Sequence, residues 1–366
     1  IMGSILLKAI KDFRKQQKAF TFHPKPLAID SLNKTDEQYV SEFISPALYY
    51  KINSGGKHNV IALLDTGVYA EHKALQNKVI ASMMYDGSTK GPNGKLTDEH
   101  GHGTHLAGIL VADHITINYN VDGVTKTKKI GGMIPDARLV SIRVTADNSG
   151  STSWYAIAEG LEQVFNYNLK PGMKEDDKIK IVVLAYNAFD NVNTDYPVCN
   201  HRINKLIQGL YKMGIAVVVS AGNAYEYYQP TFTKSIASGL AYPAYFKNTL
   251  VAMANDSDNK LSSFTQRNCD EDHDFGNHVF SAVGADTIST GIGAVDAVSV
   301  LSGSSQAAAV LAGLYIQKLI HISAGTSNLH PSQIFFELNQ NATLQNQNMF
   351  DASRTTHVKH FKIANL

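Results

Sequence analysis

Four short apolar runs, 59–64, 138–144, 180–185 and 215–220, restrict this chain more than any other feature. Each is rich in Val, Ile and Leu at consecutive rather than alternate positions. Strands of that kind bury both faces, as in a parallel sheet covered by helices on either side. Stretches of helical periodicity follow at 102–113, 153–167, 200–213 and 304–321, and Pro331 opens a further helix where its missing amide costs nothing. The expected fold is therefore α/β, with a mostly parallel central sheet and helices on both faces. One insertion interrupts the pattern. Residues 115–129 alternate, turn at Asp122-Gly123 and alternate again, which predicts an exposed β-hairpin.

Composition narrows the functional classes. The chain has 366 residues, 44% of them hydrophobic, enough for one large or two ordinary domains. Its net charge is +1, from 33 Lys+Arg against 32 Asp+Glu, so no strong electrostatic pull toward nucleic acid or anionic lipid is implied. Its apolar runs fall short of the roughly 18 residues a membrane span needs. Cys199 and Cys269 provide no disulfide framework and read as a pair or as free structural thiols. The first 25 residues read as a basic amphipathic helix with Ile5, Leu6, Ala9, Ile10 and Phe13 on one face, broken at His23-Pro24.

Four segments carry candidate chemistry. Asp65 ends the first apolar run in Leu64-Asp65-Thr66-Gly67, and functional residues of open α/β sheets gather at such strand ends. His102 lies in Gly101-His102-Gly103-Thr104-His105, where flanking glycines let the backbone approach a substrate closely. Ser305 opens the apolar helix behind Ser302-Gly303-Ser304, beside the positive end of a helix dipole. Asn223 follows the buried run 215–220 in Ala221-Gly222-Asn223. A serine hydroxyl needs an imidazole to take its proton and a carboxylate to orient that imidazole, and an amide can bind the resulting oxyanion. Singly, each segment has a plainer reading: a strand-ending turn, a helix entry, a serine N-cap, a turn asparagine. His102 and His105 on one helix face also permit a metal reading, and a single Asp-Thr-Gly a dimeric aspartic peptidase. Neither accounts for the serine and asparagine segments.

With Asp65-Thr66-Gly67, Gly101-His102-Gly103-Thr104-His105-Leu106-Ala107-Gly108, Ala221-Gly222-Asn223 and Ser302-Gly303-Ser304-Ser305-Gln306-Ala307-Ala308 in this order, the chain resembles the subtilisin family (subtilases) over roughly residues 45 to 320. The resemblance implies a serine endopeptidase with Asp65, His102 and Ser305 as triad and Asn223 as oxyanion donor. It implies an extended polypeptide substrate, no cofactor, and secretion or export, although the residues alone leave the compartment open. Residues 1–29 become an N-terminal extension or pro-segment remnant, and 30–366 the subtilisin-like catalytic domain. Substrate-binding positions carried over are Ala185, Tyr186, Asn187, Ser220, Ala221, Gly222 and Ala241.

Four departures qualify this. Ala309 stands where the family usually has Pro. Ala185-Tyr186-Asn187 replaces Ser-Leu-Gly, which predicts a groove narrowed by Tyr186. Ala241, rather than an acid, floors the specificity pocket, against a dibasic preference. Ala74 and the 115–129 hairpin occupy the places of usual calcium ligands, so no tight calcium site, and no metal ligand, is expected. Two other functions fit the same parts: a binding module that keeps the fold, and an acyl-enzyme captured by an amine to ligate or cyclise peptides.

Overall fold

The computed structural model describes residues 43–366 except 92, 93, 95, 122, 188–198, 224, 226–239, 268–277, 324–328 and 351–355, together with 20 and 21. Its strands are β1 (Phe20–Thr21), β2 (Val60–Asp65), β3 (Val79–Met84), β4 (Ile115–Val121), β5 (Val124–Ile130), β6 (Arg138–Arg143), β7 (Ser151–Thr152) and β8 (Ile179–Leu184). They continue as β9 (Ala216–Ser220), β10 (Thr249–Asn255), β11 (Val279–Val283), β12 (Thr287–Thr290), β13 (Val298–Leu301), β14 (Thr343–Phe350) and β15 (Thr356–Ile363). The main helices are α1 (His102–Val111), α2 (Trp154–Asn168), α3 (Cys199–Lys212), α4 (Ser304–Ser323) and α5 (Pro331–Asn341).

Nine strands form the central sheet in the order β14-β15-β11-β10-β9-β8-β2-β6-β3. From β15 to β3 every neighbouring pair is parallel, and β14 alone runs antiparallel, against β15. Side-chain direction alternates along each strand, so one strand feeds two cores. Ile61, Leu63, Ile181, Val183, Ala216 and Val218 pack with α1, α4 and α5. Val60, Ala62, Leu64, Val182, Leu184, Val217 and Val219 pack with α2 and α3. The consecutive apolar residues of the sequence are thus shared between two helical layers.

The expected strands and helices are present, with ends moved by one or two residues. The hairpin is β4–β5, with Val121 opposite Val124 across its turn. Of the expected N-terminal helix only Phe20 and Thr21 are described, and these pair as a short strand with Ser151–Thr152. The remainder of 1–29, and the Cys199–Cys269 pairing, lie outside the described residues.

Candidate functional site

The carboxyl ends of β2, β8 and β9 and the amino ends of α1 and α4 meet at one place. Asp65 closes β2, and its Oδ1 lies 2.7 Å from His102 Nδ1 at the first residue of α1. Both side chains are buried. Oδ1 also accepts the Thr66 amide at 2.8 Å, which fixes the carboxylate against its own turn.

Gly103 explains how α1 comes so near. A Cβ at that position would stand 2.1 Å from the Gly67 carbonyl oxygen and 3.1 Å from Asp65 Oδ1. Any side chain would push the first turn of α1 off the Asp65-Thr66-Gly67 turn.

Asp98 clamps the same two segments. It is buried, and its Oδ1 accepts the Thr66 hydroxyl and the His100 and Gly101 amides, each at 2.9 Å. Its Oδ2 accepts the Thr104 amide at 2.9 Å and the Thr104 hydroxyl at 2.6 Å. The carboxylate thereby satisfies first-turn amides of α1 that have no helical partner, and its charge suits that end of the helix dipole. The Thr66 hydroxyl in turn accepts the Gly103 amide at 2.9 Å. Buried Arg143, at the end of β6, donates to the Thr97 carbonyl at 2.9 Å and so holds the residue before Asp98. Asp98 lies outside the four segments that carry the candidate chemistry. An acidic residue just ahead of a helix start was the available signal.

On the other side, Ser305 sits in the first turn of α4, buried, with its hydroxyl donating to the Ala185 carbonyl at 3.1 Å. Asn223 is oriented by its oxygen: Oδ1 accepts the Ser304 amide and the Ser304 hydroxyl, both at 2.8 Å. Its Nδ2 therefore faces away from Ser304, toward Gly303, where an added Cβ would stand 3.2 Å from it. Ser304, whose hydroxyl also receives the Gly222 amide at 3.0 Å, is a fixed structural element.

Tyr186 corrects one expectation. Rather than narrowing a groove, it is buried in the core shared with α2 and α3, and its hydroxyl donates to the Gly150 carbonyl at 3.2 Å. Period-two alternation turns it away from the α4 side of the sheet. Its ring stands 6.3 Å from that of His102 in an edge-on contact, so it backs the imidazole. Burial, then the Asp65 and Asp98 carboxylates, push its phenol well above the ordinary range, which keeps it neutral. Asn187 donates to the Ser220 carbonyl at 3.1 Å and hydroxyl at 2.6 Å. Ala221 and Ala241 are buried and joined by an Ala241 amide to Ala221 carbonyl bond of 2.9 Å.

His105 belongs to the scaffold. Its Nε2 meets the Thr287 carbonyl at 3.1 Å, and burial drives its pKa down to about 3. Such a ring is neutral, with its proton on Nε2. Ala74 lies buried in the short 3-10 helix 73–75. Among the described residues no group of three or more His, Cys, Asp or Glu side chains could hold a metal ion, and no helix is long and apolar enough to cross a membrane.

The fold, the Asp65–His102 pair and the serine at the head of a buried helix define a class, and comparison with known proteins names it. Residues 56–348 match the subtilase family, and the chain belongs to that family. Thermitase of Thermoactinomyces vulgaris is 30% identical over 213 residues, covering 58% of this chain and 59% of that protein. The major intracellular serine protease of Bacillus subtilis (strain 168) is 25% identical, covering 58% and 56%. Subtilisin-like protease 3 of Pseudogymnoascus destructans is 27% identical over 301 residues, covering 82% of this chain and 61% of its own. The chain thus spans under two thirds of the length of these relatives. The solved structure of sphericase superposes with a TM-score of 0.64 over 95% of this chain and all of that one, at 22% identity, a likeness of fold alone.

Proposed function

We propose that the chain is a serine endopeptidase that hydrolyses peptide bonds through an acyl-enzyme on Ser305. The observation that carries this reading is the buried contact of 2.7 Å between Asp65 Oδ1 and His102 Nδ1. A carboxylate on Nδ1 fixes the tautomer that leaves Nε2 able to take a proton, and it stabilises the imidazolium that follows.

Ser305 Oγ leaves the Ala185 carbonyl by rotation about χ1. It attacks the scissile carbonyl carbon while its proton passes to His102 Nε2. Asn223 Nδ2 and the Ser305 amide donate to the oxyanion, and the α4 dipole adds to both. The imidazolium gives its proton to the leaving amine. Water, deprotonated by the same nitrogen, then hydrolyses the ester. The substrate is an extended polypeptide lying along the ends of β8 and β9. The subtilase membership and the relatives named as serine proteases support the same chemistry.

Incubation with a diverse peptide mixture, followed by mass spectrometry, tests the reading. New peptide pairs whose masses sum to a parent plus one water, absent with Ser305→Ala, are expected. Joined or cyclised products without added water would replace hydrolysis by acyl transfer to amines. No Ser305-dependent product at all would overturn the reading.

A further inference from the structure

Backbone pairing between β8 and β9 stops at Leu184 and Val219, and beyond that point the two chains part around the candidate site. Ligands of open parallel sheets bind in crevices of this kind, outside the carboxyl ends of the strands. Here the opening is bridged by a side chain. Asn187 Nδ2 donates to both oxygens of Ser220 on the opposite chain, at 3.1 Å and 2.6 Å. Asn187 is fully buried, and its Oδ1 makes no hydrogen bond. Alternation puts it on the same face as Ala185, whose carbonyl receives the Ser305 hydroxyl, and therefore on the side of α4.

A second carboxamide closes the space further along. Gly222 has φ +111, and a Cβ on it would stand 2.0 Å from Gln266 Oε1 and 2.9 Å from the Ala241 Cβ. Asn187 thus stands against Ser220 on one side of this opening, and Gln266 with Ala241 stands against Gly222 further along. A buried amide oxygen without a donor is a standing cost, relieved when a ligand brings one.

We propose that Asn187 determines specificity for the residue on the acyl side of the scissile bond, restricting it to a small side chain that donates a hydrogen bond to Oδ1, as serine does. This rests on the endopeptidase reading and sharpens its substrate class. The side chain of that residue must enter between the ends of β8 and β9, because its carbonyl has to reach Ser305 and Asn223. Asn187 already occupies that entrance.

The test uses peptidyl phosphonates that differ only in the acyl-side residue: serine, alanine or phenylalanine. Their rates of labelling are each divided by the rate with a simple alkyl fluorophosphonate on the same variant. Wild type is expected to rank serine above alanine and both above phenylalanine. Asn187→Gly should lower the alanine-to-phenylalanine ratio by about 10-fold or more, the scale on which pocket volume discriminates. Asn187→Ala, which keeps a Cβ but loses the amide, should abolish the serine advantage and shift the size ratio in the same direction. Melting curves identify any variant that fails to fold. Unchanged ratios in folded variants that still react with the fluorophosphonate would overturn the role of Asn187 and leave the endopeptidase reading standing. Absence of fluorophosphonate labelling in wild type would remove both.

Discussion

The two halves of the candidate site are built differently. Asp65 and His102 are already in contact, and the contact rests on a buried polar net in which Asp98 alone accepts five hydrogen bonds. Ser305 and Asn223 rest on the ends of two strands and one helix, and the Ser305 hydroxyl is engaged with the Ala185 carbonyl. In the proposed mechanism one half needs no rearrangement, whereas the other needs a side-chain rotation. The difference shows where precision costs most. A carboxylate–imidazole contact must hold one tautomer against solvent and thermal motion, so it is clamped from several directions. A hydroxyl has to move during the reaction and is held by a single bond.

If the serine half depends on oriented donors, Asn223→Ala should produce the largest loss short of removing the nucleophile. A fall of about 100- to 1,000-fold in kcat with little change in KM is expected, a range borrowed from subtilisin, a family relative. A change confined to KM would put Asn223 in ground-state binding instead. Gly103→Ala attacks the other half by wedging a methyl group against the Gly67 carbonyl. Separating His102 from its carboxylate by about 1 Å should cost roughly 100-fold in rate while leaving a folded protein. Retained activity would mean that the Asp65–His102 contact is less exacting than its geometry implies.

Asp98→Asn sharpens the comparison by weakening the clamp without touching the pair. Its new NH2 group would face the Thr104 amide and hydroxyl, leaving two buried donors unmatched. A stability loss of about 2–5 kcal/mol follows from leaving two such groups unpaired, measurable by urea unfolding. The smallest effect concerns pH. His105 has a folded pKa of about 3, lowered by burial from 6.5. The unfolded chain therefore binds a proton that the folded one refuses, and stability present above pH 6.5 declines as pH falls toward 3. Replacing His105 by Gln should flatten that acid limb in melting curves taken between those pH values. An unaltered limb would assign it to other groups.

Much of this architecture was legible in the chain. Consecutive Val, Ile and Leu at 60–64, 181–184 and 216–219 specify strands buried on both faces, and the structure divides those residues between two helical layers. The positions of Asp65 at a strand end and of His102 and Ser305 at helix starts followed from the same pattern. The Asp98 clamp was not legible, because its five donors come from positions 66, 100, 101 and 104 and share no period. Tyr186 was misplaced for a related reason. Its distance in sequence from Ser305 is the same whichever face it takes, and only strand alternation assigns it to the core behind His102 rather than to the substrate side. Edge strand β14 and its neighbour β15 escaped because neither Thr343–Phe350 nor Thr356–Ile363 has the apolar run that marked the others.

The most direct measurement is fluorophosphonate labelling mapped by tandem mass spectrometry. One adduct, on Ser305, is predicted, absent in Ser305→Ala and greatly slowed in His102→Ala. An adduct on Ser302 or Ser304, or labelling that persists unchanged in either variant, would contradict the account.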